Sequence, residues 1–322
     1  MKLVTPLVAA VAGAAGAWAF ARHLRRQRLE QEAYVALMRG LAEPHKYRDA
    51  PVVIVVDVGS SSIRASCFAL VAGAEWVVVN GSLQQQHLDS IDVHGEADSA
   101  HIAATVERIL DQALAFLRAT QLTDRIVGVG FSTLAMNVLG VDSKVRRKGA
   151  VDSGAHSLQC NLSAVCCGID IDRLRVCINL IGDVLGTVIH PAYAPATFLR
   201  LHEEEPATVE RVAKWQSLSG FLIGKWTTAM QQRSDKCLPI SFSEASWMGL
   251  LDFRRSQWDS RLLELIRMDN AKMPPVADSS VPFSGLNPTF LKRWPELASV
   301  PFFLGVADGA AANIGSKCID AS

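Results

Sequence analysis

The amino-acid sequence predicts a mixed α/β fold, and three observations carry that prediction. Short apolar segments rich in Val and Ile occupy the first part of the chain, as is typical of strands. One longer segment keeps the three- and four-residue apolar repeat of an amphipathic helix. A further apolar segment near the end of the chain again has the pattern of a buried strand. Strands, a helix and a later strand together favour a sheet covered by helices.

The predicted elements follow one another in chain order. Each strand is assigned from a run of apolar residues, and the long helix from the helical spacing of Ile102, Val106 and Ile109. A turn is expected at residues 72–74, which read Ala-Gly-Ala. The elements are strands at Val52–Asp57, Ile63–Leu70 and Glu75–Ser82, a helix at Asp98–Thr120, a strand at Ile126–Phe131, mainly helices over residues 195–266, and a last strand at Phe302–Val306.

Composition excludes several classes of protein. The 32 Lys and Arg residues balance the 32 Asp and Glu residues, and the body of the chain has no basic stripe. This balance argues against a nucleic-acid partner. The seven cysteines are odd in number and unevenly spread, which is not the pattern of a disulfide framework and favours a reducing, cytoplasmic setting. The 49% apolar content is enough for a sizeable core, but no pattern specifies an oligomeric state.

The N-terminal segment differs from the rest of the chain. Leu3 to Phe20 is uncharged and rich in Ala, Val and Gly, and four arginines follow it within residues 22–28. Three interpretations stay open: a membrane anchor, an organelle or secretory signal, and a helix that does not insert. In the first case the basic flank would keep the body of the protein on the cytosolic side. Residues 21–46 are expected to form a polar helix that packs on the body or serves as a stalk.

The most informative motif is residues 57–64, Asp-Val-Gly-Ser-Ser-Ser-Ile-Arg, at the end of the first strand. Gly59 has no Cβ, so backbone N–H groups of this turn can approach a phosphate. Ser60 and Ser61 add hydroxyl donors, Arg64 adds a fixed positive charge, and Asp57 can hold a hydrated Mg²⁺ ion. On these residues alone, a Ser-rich hairpin without a ligand is an equally good interpretation.

A second motif near the end of the chain repeats the arrangement of a strand followed by Asp. The apolar residues 301–307 lead into Asp308-Gly309 and then a run of small residues that allows a close turn into a helix. Catalytic groups at the ends of strands in a mixed sheet gather around one crevice. Ser132 directly follows the predicted strand Ile126–Phe131. The sequence therefore predicts that Asp57, Ser132 and Asp308 lie around a single cleft.

Taken together, the two motifs resemble those of the FGGY family of carbohydrate kinases. The resemblance covers roughly residues 52–142 and 188–318, and further matching segments keep the family order. It implies a ribonuclease H-like domain with a mixed sheet, the fold of the actin and hexokinase type of ATPase. The further segments lie at residues 126–142, 190–195, 215–222, 241–246, 249–252, 258–259, 273–276 and 285–286.

The resemblance also implies a reaction and residue roles. ATP would transfer its γ-phosphoryl group to a hydroxyl of a small-molecule carbohydrate, with Asp308 as general base and Mg²⁺ held by Asp57. The nucleotide phosphates would contact Gly59, Ser60, Ser61 and Arg64, and the carbohydrate would contact Ser132, Asn137 and Asp308. For Asn137, a structural turn residue is an equally good interpretation. Glu244 and Trp247 are more typical of a helix surface than of a cleft.

Two departures from the family pattern set the expected domains. Residues 143–187 lack a Trp-x-Asp-x-Arg segment of the family and hold Cys160, Cys166, Cys167 and Cys177, which indicates a divergent insert. With His156 nearby, unpaired thiols are favoured over a zinc site because the spacing fits no standard finger. We expect an apolar segment and stalk at residues 1–50, the kinase domain at 51–300, and the start of a truncated second domain at 301–322.

Three functional hypotheses follow from the sequence. The first is a carbohydrate kinase, which we expect to be inactive as the 322-residue chain because half of the family's ATP site is absent. The second is a catalytically dead, kinase-like binding or scaffold protein tethered to a membrane. The third is an actin-like ATPase or filament protein, and the family-specific order of residues 241–259 argues against it. Residues 188–200 favour a sugar acid or a pentulose as the substrate.

Overall fold

The computed structural model describes residues 21–34, 36–37, 43–71, 75–88, 96–142, 157–161, 193–233 and 237–316. The predicted apolar segment from Leu3 to Phe20, the predicted turn at residues 72–74 and most of the predicted insert at 143–187 lie outside these residues. Residues 21–34 are helical, as the sequence predicts. Across the described ranges, every helix is too short or too polar to cross a bilayer.

Besides the helical residues 21–34, the described part of the chain contains sixteen strands and eight α-helices. The strands are β1 (Val52–Val58), β2 (Ser62–Val71), β3 (Glu75–Val78), β4 (Gln84–His87), β5 (Glu96–Ala97), β6 (Ile126–Thr133), β7 (Val138–Asp142), β8 (Ser157–Asn161), β9 (Val212–Gln216), β10 (Ile240–Ser241), β11 (Leu251–Asp252), β12 (Gln257–Trp258), β13 (Val276–Ala277), β14 (Pro282–Phe283), β15 (Phe302–Phe303) and β16 (Val306–Ala307). The helices are α1 (Ser99–Thr120), α2 (Ala194–Glu204), α3 (Pro206–Arg211), α4 (Leu218–Trp226), α5 (Phe242–Trp247), α6 (Ser260–Leu265), α7 (Pro288–Arg293) and α8 (Asp308–Gly315).

An eight-stranded mixed sheet is the centre of the fold. Its strand order is β14-β15-β6-β1-β2-β3, with β16 also paired to β6 and β4 also paired to β2. Strands β1, β15 and β16 are parallel to β6, and the hairpin β1–β2 is antiparallel. The mixed α/β fold predicted from the sequence is therefore confirmed.

A second, four-stranded sheet has the order β5-β8-β7-β9 and is antiparallel. Its strand β8 lies within residues 143–187, so at least this part of the predicted insert joins the fold. Two small ribbons, β10–β13 and β11–β12, complete the strands. Residues 195–266 thus contain several short strands as well as the predicted helices.

The main core lies on one face of the large sheet. Ile54, Val56 and Val58 of β1 are fully buried there, while the alternate residues of β1 are half-buried. Helices α1 and α4 belong to the same core, and the Trp226 ring lies 5.9 Å from the rings of both Phe131 and Phe302. The opposite face, which carries Asp57, is the less covered one.

Most predicted elements are confirmed with small changes at their ends. Asp98 is the N-cap of α1 rather than its first residue, since its carboxylate accepts the Ala100 N–H. The third strand ends at Val78, short of the predicted Ser82. The predicted continuous strand Phe302–Val306 is wrong, because β15 and β16 are separated at Leu304 and Gly305. The N–H and carbonyl oxygen of Gly305 instead form hydrogen bonds with the side chains of Ser219 and Ser241.

Candidate functional site

Three parallel strands of the large sheet end side by side. Asp57 of β1 pairs with Ser132 of β6, and Ser132 pairs in turn with Val306 of β16. Asp308 follows β16 directly, as the first residue of α8. Neighbouring strands lie about 4.8 Å apart, so strands β1 and β16 are separated by about 10 Å across the sheet. The structure therefore brings Asp57, Ser132 and Asp308 to one edge of the sheet.

The register also assigns Asp57 and Ser132 to one face of the sheet. Paired residues of parallel strands share a face, and successive residues alternate. Val58, Thr133 and Ala307 occupy the next register position and are fully buried. The Asp57 and Ser132 positions lie on the other, less covered face, where Asp57 is partly exposed and Ser132 is buried.

The turn between β1 and β2 is tight, as the sequence predicts. The Gly59 N–H donates to the Ser62 carbonyl oxygen at 3.0 Å. A Cβ on residue 59 would lie 3.3 Å from that oxygen, so a side chain here would crowd the turn. Ser60 and Ser61 are exposed at the tip of the hairpin. Since the Gly59 N–H is used within the turn, the serine hydroxyls are the better candidates for phosphate contacts.

Arg64 and Asp57 face one another across the hairpin. They are register partners in β1 and β2, and Arg64 Nη2 lies 3.5 Å from Asp57 Oδ2. Both side chains are partly exposed, at 46% and 32%, so this ion pair contributes little to stability. A weakly held guanidinium beside a carboxylate can reorient toward an anionic ligand at small cost.

Asp308 is held by two backbone donors. Its Oδ1 accepts the Ala135 N–H at 3.1 Å and the Gly309 N–H at 2.8 Å. Ala135 lies just after β6, so one of these bonds connects the end of the central strand to the start of α8. Hydrogen bonds from two amides to one oxygen fix the direction in which the carboxylate points.

Asn137 has the contacts of a structural residue. Its side chain is buried, its Nδ2 donates to the Leu134 carbonyl oxygen at 2.6 Å, and its Oδ1 accepts the Leu218 N–H at 2.8 Å. These bonds connect the loop after β6 to the start of α4. The structural interpretation of Asn137 thus has direct support, and its contact with a carbohydrate stays a prediction.

Glu244 does not lie on a helix surface, so the interpretation favoured by the sequence is wrong for this residue. It is buried, and its carboxyl accepts hydrogen bonds from the Thr133 and Ser219 hydroxyls at 2.8 Å. Burial raises the pKa of Glu244, and the hydroxyl donors oppose that shift only in part. The pattern Ser241-x-x-Glu244 is a helix-capping signature that could have marked this glutamate from sequence.

Trp247 lies beside the start of α8. A Cβ on Gly309 would be 3.3 Å from Cζ2 of the Trp247 ring, so the indole packs directly against the residue after Asp308. The side chain is half-buried. An aromatic ring therefore borders the candidate site. The interpretation of Trp247 as a helix-surface residue did not include this contact.

The oxygen donors at the sheet edge fit a magnesium ion better than a transition metal. Mg²⁺ is usually bound by one or two carboxylates together with substrate phosphates. In the part of the chain that the structure describes, no group of three or more His, Cys, Asp or Glu residues could hold a metal. The side chains of Cys160, Cys166, Cys167, Cys177 and His156 lie outside that part, so the preference for unpaired thiols there stays a prediction.

Comparison with known proteins identifies the relatives of this chain. A family model for the N-terminal domain of the FGGY family of carbohydrate kinases matches residues 52–315, well over half of the chain. A glycerol kinase from Bradyrhizobium sp. (strain ORS 278) is 26% identical over 137 residues, which make up 41% of this chain and 25% of that protein.

Solved structures share the fold at low sequence identity. A gluconate kinase from Lactobacillus acidophilus matches with a TM-score of 0.67 and 17% identity, and a xylulose kinase from the same organism with 0.66 and 17%. A Plasmodium falciparum glycerol kinase with ADP matches with 0.61 and 16%. Each match covers 84% of this chain and 51% of the other, so the chain spans about half the length of these relatives. The family match shows that the chain belongs to the FGGY family of carbohydrate kinases.

Proposed function

We propose that the edge of the sheet where β1, β6 and β16 end is a phosphoryl-transfer site. There a hydroxyl of a sugar, sugar acid or polyol receives the γ-phosphoryl group of ATP. The observation that carries this proposal is the register that pairs Asp57 with Ser132 and Ser132 with Val306, two residues before Asp308. The family membership of the chain supports the same reaction class.

Asp308 is the proposed general base. A carboxylate oxygen takes the proton of the acceptor hydroxyl as that hydroxyl oxygen bonds to the γ-phosphorus, and the bond from phosphorus to the β–γ bridging oxygen breaks to release ADP. The Ala135 and Gly309 N–H groups hold Oδ1 in place during this step. Fixed hydrogen bonds of this kind reduce the reorganisation that the reaction requires.

Asp57, Ser60, Ser61 and Arg64 are proposed to face the nucleotide phosphates. Asp57 is the residue that would hold Mg²⁺, whose bound charge neutralises phosphate oxygens. The two exposed serine hydroxyls donate to phosphate oxygens, and the Arg64 guanidinium leaves its weak pair with Asp57 to do the same. Most of the rate enhancement in such transfers comes from this positioning and charge neutralisation.

The carbohydrate is proposed to bind on the Asp308 side of the cleft, between Ser132 and Trp247. The Trp247 ring beside Gly309 offers an apolar surface, and the Ser132 hydroxyl, on the strand next to β16, offers a polar group. Polyhydroxylated ligands need both kinds of contact. The gluconate, xylulose and glycerol kinases among the relatives define the range of small ligands to be tested.

Isothermal titration calorimetry on the 322-residue chain tests this function. Gluconate, xylulose, ribulose and glycerol are titrated with and without Mg·ATP, and we expect at least one to bind. Asp308→Asn should weaken that binding at least about tenfold, the scale of one lost charged hydrogen bond. The control is Asp124→Asn, since Asp124 is exposed at the opposite end of β6 and should leave binding unchanged.

Two results would contradict the proposal: no binding of any of the four carbohydrates, or equal binding by wild type and Asp308→Asn. ADP release in the same samples measures turnover separately. The expectation that this chain is inactive stays a prediction until that assay is made.

A further inference from the structure

The strand that leads to Asp308 contains one more residue than its partner. Phe302 pairs with Val129 and Val306 pairs with Ser132, so four steps along this strand match three steps along β6. The extra residue lies at Leu304–Gly305, between β15 and β16. Such a bulge shifts every later side chain to the other face of the sheet. The bulge therefore decides on which face β16 delivers Asp308.

Two serines hold the backbone of this bulge. The Gly305 N–H donates to Ser219 Oγ at 2.9 Å, and the Gly305 carbonyl oxygen accepts from Ser241 Oγ at 2.6 Å. Ser219 lies in α4, and Ser241 is the N-cap of α5. Both backbone groups of Gly305 are thus satisfied by side chains from outside the sheet.

Glu244 connects these serines to β6. Its Oε1 accepts from Thr133 Oγ1 at 2.8 Å, and its Oε2 accepts from Ser219 Oγ at 2.8 Å. Ser241 Oγ is 3.4 Å from the same Oε2. A Cβ on Gly305 would lie 2.7 Å from Oε1, so the buried carboxyl rests directly against the bulge. We call Glu244 with Thr133, Ser219 and Ser241 the Glu244 cluster.

We propose that Glu244 is a positioning residue: its cluster fixes the bulge at Gly305, and the bulge sets the place of Asp308. The role of Asp308 itself rests on the proposed function, but its placement by the cluster does not. The cluster touches the sheet on the buried face at Thr133, whereas Asp57 and Ser132 lie on the other face. Glu244 thus acts through the backbone and needs no contact with a ligand.

The chemistry of the cluster indicates which variant should preserve it. The side-chain partners of Glu244 in the described part of the chain are hydroxyl groups, which can donate to a carboxylate or accept from a protonated carboxyl. Burial favours the protonated form. A glutamine has the same shape and combines a donor with an acceptor, so it can replace a protonated glutamate. A leucine keeps most of the volume and removes the hydrogen bonds.

Hydrogen exchange of individual amides, read by NMR on the 322-residue chain, tests the placement directly. The Ala135 N–H bonds Asp308, and the Gly305 N–H bonds Ser219, so these two amides report on the site and on the bulge. We expect Glu244→Leu to accelerate exchange of both at least about tenfold while amides in the middle of α1 stay unchanged. Glu244→Gln should stay within about twofold of wild type.

The matched controls are Glu264→Leu and Glu264→Gln, since Glu264 is exposed on α6 and should leave both amides unchanged. If Glu244→Leu does not fold, Ser241→Ala removes one bond to Gly305 and should still accelerate the Gly305 amide. Each of three results would overturn the proposal. They are unchanged exchange of the Ala135 amide in a folded Glu244→Leu variant, equal acceleration of all amides in that variant, and a Glu244→Gln variant that is as disruptive as Glu244→Leu.

A binding experiment separates this inference from the proposed function. Glu244→Leu should weaken carbohydrate binding about as much as Asp308→Asn, and the double variant should lose no more than either single variant. A residue that acts only on overall stability would add its effect to that of Asp308→Asn, which would contradict positioning. If wild type binds no carbohydrate, the proposed function fails, and the exchange experiment still decides whether Glu244 places Asp308.

Discussion

A carboxyl group in the interior requires partners, and at Glu244 hydroxyl groups supply them. An unpaired buried carboxylate would cost several kcal/mol, which a protein avoids by hydrogen bonds or by protonation. Thr133 and Ser219 provide the bonds, and burial raises the pKa. The capping pattern Ser241-x-x-Glu244 marks this residue in the sequence, but its burial is not visible there because Thr133 and Ser219 lie elsewhere in the chain.

The pKa of Glu244 gives a prediction about stability against pH. Because the folded state holds this proton more tightly than the unfolded state, raising the pH above the ordinary glutamate value of about 4.3 favours unfolding. The free energy of unfolding of wild type, measured relative to Glu244→Gln, should therefore fall as the pH rises from about 4.3 toward the folded-state pKa. The slope is at most about 1.4 kcal/mol per pH unit.

Urea denaturation of both proteins between acidic and neutral pH measures this difference. Subtracting the glutamine variant cancels the titration of all other groups. A difference that stays constant or increases with pH would show that burial does not raise the pKa of Glu244.

At the scale of elements, two carboxylates of α1 connect three helices. Glu107 accepts from Trp226 Nε1 at 3.1 Å and lies 2.8 Å from Lys225 Nζ, at the end of α4. Its other oxygen lies 2.6 Å from Arg293 Nη1 of α7. One turn later Asp111 pairs with the same arginine. Basic residues at the ends of α4 and α7 are favourable there, and α1 gives them partners.

Glu107→Ala should destabilise the fold by about 2 kcal/mol. Removing one member of a buried ion pair costs more than this, but Lys225 and Arg293 are each 34% exposed, so water replaces part of the interaction. Thermal or urea unfolding measures the loss. Glu264→Ala is the control and should change stability by less than about 0.5 kcal/mol. If Glu107→Ala also lost less than about 0.5 kcal/mol, the packing of α1, α4 and α7 would not depend on this carboxylate.

Sequence patterns predicted the regular elements and not the irregular ones. The strands β1, β2 and β6 and the helix α1 were predictable because the strands contain local apolar runs and the helix a local apolar repeat. The bulge at Gly305 was not predictable, because Ser219 and Ser241, whose side chains bond its backbone, are remote from it in the sequence. Glu107 shares the stripe of Ala103, Val106 and Leu110 on α1, which is the available sign of its burial.

For the whole molecule, the sequence predicted the central feature of the site. Asp57 and Asp308 lie near opposite ends of the described chain, yet Asp57 lies at the end of β1 and Asp308 directly follows β16, and both strands are parallel to β6. Equivalent strand ends meet at one edge of a sheet, which makes this convergence predictable from two local motifs. The cluster that holds Asp308 was not predictable, because it depends on how α4 and α5 pack beneath the sheet.

A double-mutant cycle of carbohydrate binding in the presence of Mg·ATP, measured by calorimetry on wild type, Asp57→Asn, Asp308→Asn and the double variant, tests most directly whether the two carboxylates serve one site. Because the acceptor hydroxyl at Asp308 and the γ-phosphoryl group of the nucleotide at Asp57 would meet in that site, we expect the double variant to lose less binding free energy than the sum of the single variants, by at least about 1 kcal/mol. Losses that add within about 0.5 kcal/mol, or single variants that bind as wild type does, would contradict a shared site.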